Sequence, residues 1–95
     1  MKIRELAGAE RDIEEALTYY ADLSPLYVED LLHEIAVAKR VIAQFPQAWH
    51  PLQGGLRRYV LHRYPYSIVY QVRKNEILIV AYAHFKRRPG YWRNR

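Results

Sequence analysis

Side chains able to do chemistry crowd one stretch of this chain. His84, Lys86, Arg87, Arg88, Tyr91, Trp92, Arg93 and Arg95 fall within twelve residues, divided by Pro89-Gly90. Arginine forks onto phosphates and carboxylates, and aromatic faces stack on bases or guanidinium groups, so the stretch suits nucleic acid, an anionic pocket or an acidic partner. His84 stands beside Lys86, Arg87 and Arg88, which makes it a candidate base. The plainer role for it is a strand-end histidine bonded to a backbone carbonyl.

Charge along the chain points the same way. Residues 1–38 hold three Lys/Arg against nine Asp/Glu, a net of −6. Residues 39–95 hold twelve against Glu76 alone, a net of +11, which together give the overall +5. Eleven of the fifteen cations are arginine, so the basic half is built for bidentate anion contacts rather than for solubility alone.

Other classes are disfavoured. Ninety-five residues make one domain, 1–95, with a modest core. Without cysteine there is no disulfide and no thiolate chemistry, which fits a reducing cytoplasm. Residues 1–30 show no apolar signal segment, and the longest apolar run, Ile77–Ala83, is far short of the ~20 residues that span a bilayer. The histidines at 33, 50, 62 and 84 lack metal-ligand spacing, so neither metal nor other cofactor is expected.

The elements that must carry these residues read as follows. Lys2–Leu6 suits a short strand. Ile13, Ala16, Leu17 and Tyr20 form the stripe of a helix opening near Gly8, with acids in its first turn. Ser24-Pro25 ends it and starts a second helix, serine as cap and proline in first place. Val28, Leu31, Leu32, Ile35, Ala38, Ile42 and Phe45 give that helix its apolar face, up to Pro46. Gln47–Gly55 reads as loop. Leu56–Tyr64, Tyr66–Val72 and Ile77–His84 are strands, the last two joined by a Lys74-Asn75 turn. Pro89 lacks a ladder donor, so the sheet must stop near His84–Phe85. The order β-α-α-β-β-β predicts an α+β domain, a helical hairpin on one face of a small antiparallel sheet. Tyr19, Tyr20 and Tyr70 are expected to pack in the core, Trp49 to cover its edge, and His33 to lie on the surface.

Gly55-Leu-Arg-Arg58, Arg63-Tyr-Pro-Tyr-Ser-Ile-Val-Tyr70 and Ala83-His-Phe-Lys-Arg-Arg-Pro-Gly-Tyr-Trp92, with a helix ending in Tyr-Tyr and another in Phe-Pro, resemble the RelE/ParE superfamily. These are the toxins of type II toxin–antitoxin pairs. The resemblance covers essentially the whole chain and implies a cytoplasmic prokaryotic protein with a cognate antitoxin. It also implies a higher-order complex that binds operator DNA through that antitoxin.

Two activities follow from the resemblance. RelE-like members cut mRNA on the ribosome, which requires an activated 2′-oxygen, a stabilised phosphate and a protonated leaving oxygen. Their middle-strand arginine corresponds to Ser67 here, and Arg58 and Val60 stand where lysines are expected. Tyr91 matches the late tyrosine. A catalytic set of His84, Arg88 and Tyr91, helped by Arg63, is then the nuclease expectation. ParE-like members instead inhibit DNA gyrase by binding, and the Arg-Tyr-Pro-Tyr stretch favours them. A third possibility is a non-toxic relic that binds only partner or operator. Target or nucleic-acid contacts are expected from Arg57, Arg58, Arg63, Lys86, Arg87, Arg88, Tyr91, Trp92 and Arg93. Antitoxin contacts are expected from Val69, Ile77 and Ile79 on an open second sheet face.

Overall fold

The computed structural model describes all residues, Met1–Arg95. Strand β1 (Lys2–Glu5) leads into helices α1 (Ala7–Leu23) and α2 (Pro25–Gln44). A two-residue strand β2 (His50–Pro51) and a single 3₁₀ turn at Gln53–Gly55 come next. Strands β3 (Leu56–Val60), β4 (Tyr66–Arg73) and β5 (Glu76–His84) complete one sheet in the order β1-β5-β4-β3-β2. The expected α+β architecture and β-α-α-β-β-β order are present.

The hairpin forms for local reasons. Ser24 Oγ accepts from the Leu26 N–H at 3.2 Å, while the Ser24 N–H closes on the Tyr20 carbonyl at 2.9 Å. One residue therefore ends α1 and caps α2, and Pro25 loses no hydrogen bond in the first turn. Leu31, Ile35, Ala38 and Ile42 repeat at helical spacing and are buried with Ala9 and Ala16 against Tyr59, Ile68, Tyr70, Ile77, Ile79 and Tyr82.

Four details differ from the expectation. His50–Pro51, expected as loop, pairs antiparallel with Arg57–Arg58. β1 runs parallel to β5, which the long intervening chain permits, so the sheet is mostly rather than wholly antiparallel. β3 stops at Val60: the Leu61 N–H still reaches the Tyr66 carbonyl at 3.0 Å, but the donors after it, His62 N–H and, at 3.2 Å, Arg63 N–H, go to the carboxylate of Glu34 on α2. Tyr19 is 60% exposed rather than packed. Tyr70 is fully buried as expected, with its hydroxyl donating to the Pro46 carbonyl at 2.7 Å.

A bulge decides which residues of β5 face which way. Val69 pairs with Ala81 but Tyr70 with Ile79, leaving Val80 as the extra residue. Before it, Ile77 and Ile79 point to the helices; after it, Tyr82 does, while Val80, Ala81 and Ala83 join Val69 on the other face. The expected antitoxin surface is corrected on this point. Ile77 and Ile79 lie in the helix-side core, and Val69, though on the second face, is buried among Leu52, Leu56, Tyr91 and Trp92.

Candidate functional site

β1 pairs only with Glu76–Ile79, so β5 would present an open edge beyond Ile79. Asp12 of α1 fills that gap. Its Oδ2 accepts from the Tyr82 N–H at 3.1 Å and from the Tyr91 hydroxyl at 3.1 Å. Arg95 grips the same carboxylate with two donors, at 2.7 and 3.0 Å, and donates a further bond to the Val80 carbonyl at 3.1 Å. Asp12 is 7% exposed, and the pair holds the end of the chain against the sheet. A Cβ on Gly8 would lie 2.5 Å from Arg95 Nε, so glycine clears the path of that guanidinium.

Between β5 and this anchor the chain turns back over the second face. The Lys86 N–H donates to His84 Nδ1 at 3.0 Å and the Arg87 N–H to the His84 carbonyl at 3.0 Å. Gly90, at φ +77°, takes the left-handed turn that lets the Tyr91 N–H reach the Arg88 carbonyl at 3.2 Å. Tyr91 and Trp92 then settle on Val69, Val80, Ala81 and Ala83, with their ring centroids 5.3 Å apart and edge to face.

The returning segment and the sheet enclose a cleft of about 280 Å³, lined by Arg58, Ser67, His84, Arg87, Tyr91 and Trp92 among others. The Arg87 guanidinium lies 3.9 Å from the centre of the Tyr91 ring, which orients it as cation–π contacts do. Two arginines, a serine hydroxyl and two rings suit an oxyanion or an acidic side chain. The proton-transfer groups are otherwise engaged. The Tyr91 hydroxyl bonds to Asp12, and burial first and Asp12 second push its pKa up to about 12, well above the range of an acid working at neutral pH. His84 accepts at Nδ1 from the Lys86 N–H, and its ring stands edge-on to Tyr66 at 5.0 Å. Its partner is thus a backbone N–H, not the expected carbonyl.

The structure gathers only part of the expected cation set. Arg58, Arg87, Tyr91 and Trp92 meet at the cleft, Lys86 and Arg87 line the neighbouring groove, and Arg88 is exposed without an ion pair. Arg93 sits across Trp92, beside Arg95. Arg57 does not join Arg58: strand alternation turns it to the other face, where it donates to the Trp49 carbonyl at 2.8 Å. Arg63 is paired with Asp30, beside the bond from the Tyr64 hydroxyl to the same carboxylate at 2.8 Å, so it braces a loop rather than helping His84. The pairing of Asp12 with Arg95 escaped the reading of the sequence. The signal was there: an acid within the stripe of Ala9, Ile13 and Ala16 needs a buried partner.

Comparisons with known proteins agree with the fold. The family described as "ParE toxin of type II toxin-antitoxin system, parDE" matches residues 5–89. Tyr91, Trp92 and Arg95 lie beyond that match. Toxin ParE2 of Mycobacterium tuberculosis, in strains CDC 1551 / Oshkosh and H37Rv, is 36% identical over 91 residues, covering 94% of this chain and 86% of the relative. A solved chain of the chromosomal ParDE TA system from P. aeruginosa superposes with a TM-score of 0.77 at 23% identity, covering 88% of this chain and 95% of that one.

Proposed function

Since the chain belongs to the ParE toxins of type II toxin–antitoxin systems, with an antitoxin as its partner, we infer that it arrests growth by binding DNA gyrase rather than by cutting RNA. One observation carries the choice: the cleft has cations and rings, but its tyrosine hydroxyl and its histidine Nδ1 are held in internal bonds. A phosphodiester-cleaving site needs a free base and a free acid. A binding surface needs neither. The antitoxin would bring acidic side chains to the basic face and place the pair on operator DNA in the cytoplasm of a prokaryote.

Ribosome-dependent mRNA cleavage is the competing reading, favoured by Arg58 and Arg87, which are placed to hold a phosphate. A supercoiling assay with purified gyrase, run beside a translation reaction probed for mRNA cuts, separates the two. Lost supercoiling with intact mRNA is expected, and cut mRNA with normal supercoiling would reverse the assignment. Arg87→Ala with Arg88→Ala should abolish growth inhibition while circular dichroism stays native, because neither side chain supports the core. A folded, fully toxic double variant would remove the cleft from the working surface.

A further inference from the structure

Nine large apolar side chains are left exposed, and four of them, Tyr19, Leu23, Leu26 and Tyr27, lie at the turn between α1 and α2. Leu26 is 72% exposed and Leu23 58%. Tyr19 and Tyr27 touch the ring of Tyr20, but Leu23 and Leu26 join neither core cluster, and an apolar patch of this kind on a small domain marks a contact surface. Around the turn, the hairpin's own charges have one sign. From Asp12 to Ala38 there are seven acids and no lysine or arginine. Asp12 and Asp30 are matched by Arg95 and Arg63, but Asp22 and Glu29, beside the leucines, make no ion pair. The patch also runs on toward the cleft: Tyr19 and Tyr20 line a groove of about 460 Å³ whose far side is Tyr66, His84, Lys86 and Arg87.

We propose that the hairpin tip is a second docking surface, for a protein whose contact patch sets lysines or arginines around apolar side chains, and that this protein is the toxin's target. Leu23 and Leu26 would be the buried anchors, with Asp22 and Glu29 matching the partner's cations. Nucleic acid fits poorly, because phosphates would meet the unpaired carboxylates of Asp22 and Glu29 beside the leucines. An acidic antitoxin belongs at the basic cleft for the same reason. A second copy docking its own basic face here would make a head-to-tail contact, giving a ring or an open filament that sedimentation would reveal.

The proposal rests on the toxin reading, and its test separates the two. Leu23→Ser with Leu26→Ser, and separately Asp22→Lys with Glu29→Lys, change exposed side chains and should leave the melting curve unchanged. Each variant is compared with wild type for growth arrest, for affinity to purified DNA gyrase by surface plasmon resonance, for affinity to the antitoxin from the adjacent reading frame, and for sedimentation. The leucine pair should weaken gyrase binding on the order of tenfold or more and lose growth arrest, with antitoxin affinity intact. The charge reversal should slow association and invert its dependence on salt. If wild type arrests growth without binding gyrase while the leucine pair arrests nothing, the gyrase assignment fails and the docking surface stands. A leucine pair as toxic as wild type overturns the surface whatever the target. So does a loss confined to antitoxin affinity or to self-association, and so does a wild-type chain that arrests nothing.

Discussion

Asp12 is the residue on which the end of the chain depends. It gathers the Tyr82 N–H, the Tyr91 hydroxyl and both ends of the Arg95 fork, at 2.7–3.1 Å. Removing it leaves a largely buried guanidinium and a strand N–H without partners, which costs far more than the pair itself contributes. Asp12→Ala should lower stability by about 2 kcal/mol, roughly 10 °C in Tm for a domain of this size, read by thermal denaturation. An unchanged Tm would show that the tail is not anchored there. Tyr91→Phe is the milder change, since it removes one of several donors. It should cost about 1 kcal/mol or less and leave toxicity in place. A nuclease using that hydroxyl would instead lose on the order of 10²-fold in cleavage rate.

At the scale of elements, the decisive feature is the Val80 bulge. It lets Ile77 and Ile79 reach the helices from one end of β5 and Tyr82 from the other, with Ala81 and Ala83 turned away beneath the returning segment. Deleting Val80 would remove the bulge yet keep every other face, since Ile79, Ala81, Tyr82 and Ala83 then alternate toward and away from the helices. The variant should therefore keep its core, with a native near-ultraviolet dichroism spectrum; loss of that spectrum would show that the bulge itself, and not only the faces of β5, is required. This is also where the sequence was silent. The apolar run Ile77–Ala83 announced a central strand, but a continuous run carries no alternation from which a face can be read. Ser24-Pro25 and the α2 stripe, by contrast, are local signals, and they located the hairpin correctly. The cleft was legible as a basic-aromatic stretch. Its geometry was not, because Asp12 lies far from Tyr91 and Arg95 in the chain.

For the molecule as a whole, tyrosine burial sets the upper pH limit. Tyr64, Tyr66, Tyr70 and Tyr91 are each pushed up to about 12, burial being the first cause in every case. An unfolded tyrosine titrates near ~10, so the folded state holds these protons more tightly. Their contribution is complete below pH ~10 and is lost as pH rises from there through about 12. Tyr70 has a further reason to resist, since its hydroxyl must also leave the Pro46 carbonyl. A titration of phenolate absorbance alongside far-ultraviolet dichroism should show these groups ionising late and together with unfolding. Ionisation of every tyrosine near pH ~10 in a chain that stays folded would refute this.

The parallel contact between β1 and β5 also bears on how the protein comes into being. Lys2 pairs with Glu76, Arg4 bonds to Glu76 across 72 positions, and Asp12 meets Arg95 across 83. Contacts so distant in sequence make the closing of the sheet a late and slow event. On the ribosome, β1 and the hairpin emerge long before their partners and must wait with one face uncovered. The sheet that carries the cleft cannot close until β5 has left the exit tunnel. During that interval the nascent chain is not yet a poison, and an antitoxin already present has time to meet the protein as it completes its fold.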